Sequence, residues 1–370
     1  MDPYATLRRR FSRACAVGVV AVTLIGCSEP TAPDAGPEGR QLLRDAEYAA
    51  WEWHPNSAEI VFATRSELSD SRIEAVNISD GRRRTIVPAM PAGARISPFR
   101  FQIVGMNVYF TATRDDGRTS LLRSRLDGSS TPQMVMDSLT RWSYVSPDET
   151  QVAWVNSTGV APFVSLVILH VATGTRREYS LSHAGDLIEW SSSGKTIVVH
   201  PSGVFGEGTP FQVVDVETGI IRPWIGSRNE IDIDMRRHFG WDGENPSLYL
   251  TGGNVVARYS LSSGVKTILR TVTDPAHAIG WNATFTTVTL ASNICLQEGT
   301  GPFGGDCILW SASMDRLDLV TGATVNILKS KSPYLIDGQL SPGGASIAYL
   351  FGNCATGCTD AAGLYVTSSN

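Results

Sequence analysis

Large apolar residues recur along the chain at Trp53, Phe101, Val145, Trp190, Trp241, Trp281 and Leu340, each followed by a short polar stretch. Seven residues after each stands a second apolar residue: Ile60, Val108, Val152, Ile197, Leu248, Val288 and Ile347. Nine residues after each stands a third: Phe62, Phe110, Trp154, Val199, Leu250, Leu290 and Tyr349. The +7/+9 pair has the period of two that places side chains on one face of a strand, so each unit predicts a strand with one buried face. Late in the units come Gly81, Gly128, Gly174, Gly219, Gly264 and Gly322, in contexts such as Ser-Asp-Gly and Glu-Thr-Gly. Glycine there supplies the positive φ of a tight hairpin. Strands are expected before the turn (166–171, 211–216) and after it (85–87, 267–269).

Each unit therefore reads as four antiparallel strands, and the turn glycines of the first five units are spaced 45 to 47 residues apart. That repeat length predicts an all-β chain built as a seven-bladed β-propeller of four-stranded antiparallel blades over residues 41–370. The last unit reads as three strands, the third at 364–366. Gln41-Leu42-Leu43 is expected to add the fourth and close the ring, because an open ring leaves a sheet edge unpaired. The post-anchor turns His54-Pro55-Asn56, Ser146-Pro147-Asp148 and Ser341-Pro342-Gly343 resemble the W-S-P-D-G repeats of TolB-like, WD40-like (PD40-type) propellers. The resemblance covers residues from about 47 to 370 and implies the fold, with little to say about function. Two departures stand out: seven units rather than six, and about 20 residues between Cys27 and the first blade, too few for the α/β domain that precedes the TolB propeller.

The first 40 residues have a different pattern. Arg8, Arg9, Arg10 and Arg13 precede an apolar stretch from Ala14 to Gly26, the layout of an export signal. Thirteen helical residues cover about 20 Å, short of a membrane span. Leu24-Ile25-Gly26-Cys27 resembles the lipobox of bacterial lipoproteins, which implies cleavage before Cys27 and lipidation of its thiol. Ser28 after the Cys points to the outer membrane, periplasmic or surface face, rather than the inner. General secretion and, from Arg8-Arg9-Arg10-Phe11, twin-arginine export both fit. Residues 1–26 are thus expected to be a signal peptide and 27–40 a flexible tether, rich in Pro, Gly and acid and poor in apolar residues.

Composition agrees with many short strands: 42% hydrophobic, 18% charged, 35 Gly. The net charge is −5; removal of residues 1–26 takes away four Arg and one Asp, leaving −8. A nucleic-acid binder needs basic clusters to neutralise phosphates, so that class is set aside. The run Arg82–Arg84 is expected to be a solvated strand edge. Cys295 and Cys307 flank a Gly-rich stretch in the sixth unit, and Cys354 and Cys358 sit in the matching stretch of the seventh. Four cysteines allow three pairings; proximity favours 295 with 307 and 354 with 358, each stapling a loop in an oxidising envelope.

The chain carries no GxSxG, HExxH, P-loop or EF-hand pattern, and its six His are scattered. No catalytic triad, metal site or cofactor is expected. If each anchor faces a neighbouring blade, the residue before it turns the other way, towards the central channel. These residues are Glu52, Arg100, Tyr144, Glu189, Gly240, Gly280 and Gln339; His238 and Asp337 join them as further channel candidates. Asp232 and Asp234 are read as a strand with one solvated face. The function expected is a membrane-anchored, non-catalytic binding or scaffold module for an envelope protein, peptide or glycan. The alternative is a propeller enzyme, a polysaccharide lyase or hydrolase, working through the acidic channel residues.

Overall fold

The computed structural model describes residues 39–44, 47–64, 71–90, 93–139, 143–157, 164–182, 185–201, 212–223, 240–242, 247–252, 254–260, 265–274, 276–282, 284–298, 307–332, 337–351 and 362–369. The chain divides into two compact units, residues 1–34 and 35–370. The signal segment, the tether and Cys27 lie outside the described residues, as do Asp232 and Asp234.

The second unit is a seven-bladed propeller, with seven four-stranded antiparallel sheets among the described residues. In the first blade the strands, from the inside outwards, are Tyr48–Trp53, Glu59–Thr64, Ile73–Asn77 and Arg83–Val87. Their turns are as the sequence demands: Gly81, Gly128, Gly174, Gly219 and Gly322 all have φ between 69° and 79°. Gly264 lies outside the described residues.

One expectation needs correcting. The second strand of a blade is buried on both faces: Ile60, Val61, Phe62 and Ala63 are all closed to solvent. Each blade is sandwiched between two neighbours, so its middle strands have no solvated side. The apolar clusters accordingly lie between blades. Val61, Ile73 and Ile86 of the first blade pack on Val108, Phe110 and Leu126 of the second. Val155, Leu166 and Ile168 of the third pack on Ile188, Ile197 and Val214 of the fourth. Each fully buried aliphatic side chain contributes about 1.5–3 kcal/mol, so the ring is held chiefly at its seams.

The ring closes as the sequence implied. Arg40–Arg44 pairs antiparallel with Gly363–Ser368 and forms the outermost strand of the seventh blade. Leu43 is set opposite Leu364, and both are buried in a cluster shared with Trp51, Trp53 and Phe62 of the first blade. Trp53 Nε1 donates to the Gln339 carbonyl at 3.0 Å, which joins the first blade to the seventh at the inner end.

Two further expectations change. The sixth-blade loop expected between Cys295 and Cys307 is strand as far as Glu298: a long hairpin runs Thr287–Glu298 and Cys307–Asp318, putting Cys295 inside one arm and Cys307 at the start of the other. The run 82–84 is not uniformly solvated. Arg82 is exposed, but Arg83 pairs with Glu47 at 2.8 Å and lies over the Phe62 ring, and Arg84 is engaged in the seam between the first two blades.

Candidate functional site

Alternation along the innermost strands decides what lines the channel. The anchors Trp53, Phe101 and Trp190 turn back towards the preceding blade. Trp190 Nε1 of the fourth blade donates to the Tyr144 carbonyl of the third at 3.1 Å, as Trp53 does to Gln339. Phe101 packs on the cluster shared with the first blade. The neighbouring residues on the same strands therefore face forward, towards the next blade and the channel. Glu52 Oε2 accepts the Ile103 amide of the second blade at 3.1 Å. Arg100 Nη1 donates to Tyr144 Oη of the third at 3.3 Å.

These side chains meet in a cavity of about 700 Å³ at the inner end of the first four blades. Glu52, Arg100, Tyr144, Glu189 and Gln339, all expected from the sequence, line it. His238 and the Asp337 side chain lie outside the described residues; the Asp337 backbone pairs with Leu350. Gly280 departs from the expectation of a free channel position. A Cβ built there would stand 2.2 Å from the Leu340 Cβ, so the sixth and seventh blades approach too closely for a side chain. Among the described residues the cavity draws its charged side chains from blades one, two and four, with Tyr144 of the third and Gln339 of the seventh.

Sequence reasoning missed Gln102 and the aromatic lining. Gln102 forms two hydrogen bonds to the Val145 backbone, 2.9 and 3.0 Å, and so joins the inner strands of the second and third blades. It stands two residues after Arg100, and extending the period of two would have found it. Trp51, Trp190 and Tyr109 add largely buried aromatic surface. Tyr109 Oη donates to Glu149 at 2.6 Å, and Asn107 Nδ2 donates to the same oxygen at 2.7 Å. Burial first, and then the Glu149 carboxylate, push the Tyr109 phenol well above its ordinary value, so it remains a proton donor.

A second polar group lies outside the channel, in the seam between blades one and two. Arg84 donates Nε and Nη2 to the two Glu59 oxygens, 2.9 and 2.7 Å, and Nη1 to the Leu126 carbonyl of the second blade at 2.6 Å. The Arg84 hydrogen bonds hold the Glu59 carboxyl below its ordinary range against the opposing effect of burial. His54 is buried 3.9 Å from Glu59, and loss of hydration lowers its pKa. Its Nδ1 accepts the Asn56 amide at 3.1 Å, which fixes the tautomer and the His-Pro-Asn turn. These groups close a seam, and His54 belongs to that structural set.

Cys295 is disulfide-bonded. The Cys307 side chain, Cys354 and Cys358 lie outside the described residues.

Neither the family models nor the curated proteins contain a match to this chain. Solved structures do match. Oligogalacturonate lyase from Vibrio parahaemolyticus superposes with a TM-score of 0.59 at 10% identity, over 89% of this chain and 93% of that one. The puromycin hydrolase S511A mutant complexed with PGG gives 0.52 at 17% identity, over 85% of this chain; the chain spans about half, 52%, of the hydrolase. A TolB structure from Agrobacterium tumefaciens gives 0.39 at 12% identity, over 90% of this chain and 94% of that one. The likeness to the lyase and the hydrolase concerns the fold alone, and with the seven four-stranded sheets it defines the class as β-propeller.

Proposed function

We propose that this chain is an envelope lipoprotein, anchored through Cys27, whose propeller is a non-catalytic binding module for an envelope protein, peptide or glycan. The ligand is taken in the channel cavity of blades one to four. The observation that carries the reading is convergence: Glu52, Arg100, Tyr144 and Glu189 come from four successive blades and meet in one cavity beside Trp51 and Trp190. A concave site with a few fixed polar groups on aromatic walls suits an extended ligand. The lipobox resemblance and Ser28 support anchorage at the outer membrane, and pairing of Cys295 with Cys307 and of Cys354 with Cys358 suits an oxidising envelope. The test is display of the full chain on peptide and glycan arrays beside Glu189→Gln and Tyr144→Phe. Selective binders lost in both variants, at unchanged Tm, are expected; binders indifferent to both would refute the assignment. Radiolabelled palmitate should enter the wild type and not Cys27→Ser.

A second reading, a polysaccharide lyase or hydrolase, draws support from the two carboxylates and the Arg100–Tyr144 pair in the same cavity. Ultraviolet absorbance of an unsaturated product, or new reducing ends, from an acidic polysaccharide would favour it. Retention of that activity in Glu52→Gln/Glu189→Gln would remove those acids from the mechanism.

A further inference from the structure

The repeat allows one seam to be compared with another. Glu59 of the first blade and Gln151 of the third occupy the same place, each six residues after its anchor and each paired with the third strand at Asn77 or His170. Arg84 and Arg177 also correspond: each stands three residues after its turn glycine and pairs with Ala75 or Ile168. Each reaches a carbonyl of the next blade, Leu126 for Arg84 and Val216 for Arg177, the latter at 3.4 Å. Those carbonyl residues in turn donate their amides to the Met106 and Lys195 carbonyls, so Met106 and Lys195 correspond as well.

The two seams differ in charge. Between blades one and two, Glu59 neutralises Arg84, and the residue at the corresponding backbone position of the next blade is the uncharged Met106. Between blades three and four the uncharged Gln151 stands in place of the acid, and the cationic Lys195 in place of Met106. Among the described residues neither Arg177 nor Lys195 has a carboxylate within 4.0 Å. A cavity of about 360 Å³ opens there, floored by Ile168 and Val216 and lined by Gln151, Arg177 and Lys195, with one acid, Glu217, among its lining residues.

We propose that this seam is a second binding site, separate from the channel, that accepts the carboxylate of an acidic peptide side chain. The ligand carboxylate supplies the negative charge that Gln151 lacks, lying beside the Gln151 amide between the Arg177 fork and the Lys195 ammonium. Its short apolar stem lies on Ile168 and Val216, which favours a Glu-like side chain over a sugar acid or an inorganic anion.

The test is calorimetric titration of the purified full chain with N-acetyl-glutamate N-methylamide, its glutamine counterpart, glucuronate and inorganic phosphate. The glutamate probe is expected to bind and the glutamine one not. Arg177→Gln and Lys195→Gln should each weaken binding about tenfold, the loss of one charge-assisted hydrogen bond. Gln151→Glu should abolish binding and raise Tm without ligand, because it restores the internal ion pair of the first blade and shows that the variant folds. Unchanged affinity in Gln151→Glu and Arg177→Gln would overturn the proposal, as would tighter binding of glucuronate or phosphate. The channel variant Glu189→Gln should leave the titration unaltered.

Discussion

Glu59→Gln isolates one ion pair of the first seam. The substitution keeps shape and removes charge. Of the two short hydrogen bonds, 2.9 and 2.7 Å, one loses its acceptor because an amide nitrogen replaces an oxygen, and the other loses the carboxylate charge while keeping that of the guanidinium. A hydrogen bond to a charged group contributes roughly 1.5–3 kcal/mol, and a neutral one about 1 kcal/mol. The Glu59 side chain is 15% exposed and that of Arg84 33%, so water reaches the guanidinium and screens part of the loss. The expected destabilisation is about 1.5–2.5 kcal/mol at neutral pH. Its pH dependence has a definite sign. The folded carboxyl titrates below its ordinary value of 4.5, so the contribution is complete above that pH and disappears as pH falls through the lowered value. His54 is common to both proteins, so most of its titration cancels in the difference. Urea unfolding followed by tryptophan fluorescence, from neutral pH down through 4.5, measures the gap between wild type and variant. A gap that fails to shrink with acid, or one below about 0.5 kcal/mol at neutral pH, refutes the assignment of stability to this pair.

Other consequences are open to direct measurement. Leu43→Ala empties a fully buried position in the closing strand and should cost about 2–4 kcal/mol in chemical unfolding; a loss under 1 kcal/mol would mean that strand does not close the ring. Gly280→Ala drives a Cβ into the Leu340 Cβ and should destabilise by about 1–3 kcal/mol; an unchanged Tm would show that the sixth and seventh blades yield freely. Trp53→Phe keeps an aromatic anchor but loses the bond to the Gln339 carbonyl, at an expected cost of about 1–3 kcal/mol because that carbonyl is left without the indole donor. Mass spectrometry of a non-reduced digest should recover Cys295 joined to Cys307 and Cys354 joined to Cys358; free thiols there would dismiss the staples.

Much of the candidate site was legible because alternation is a local property. Once Trp53 and Trp190 were read as anchors, Glu52 and Glu189 had to face the other way. Gln339 followed by the same rule. Arg84 was misread because a basic run at a strand end gives no sign of its partner. Glu59 lies 25 residues away and becomes adjacent only when the outer strand pairs with the third and the Arg84 side chain reaches across it to the second. Gly280 carried no local signal either, since its constraint comes from Leu340 on another blade. The burial of both faces of the middle strands was missed for the same reason, because stacking of blades is not written into the period of any one strand.

The sequence by itself determined the number of blades, the strands within them, the glycine turns and the closing strand at Leu42 and Leu43. These follow from spacing, backbone conformation and the need to pair a sheet edge, all of which act over short stretches or repeat along the chain. The tertiary structure alone decided that Glu52, Arg100, Tyr144 and Glu189 share one cavity with Gln339 of the seventh blade, that Leu340 closes the space at Gly280, and that two equivalent seams differ in charge. Those properties depend on which side chains from separate blades come within a few ångströms, and that distance is fixed only when the ring is closed.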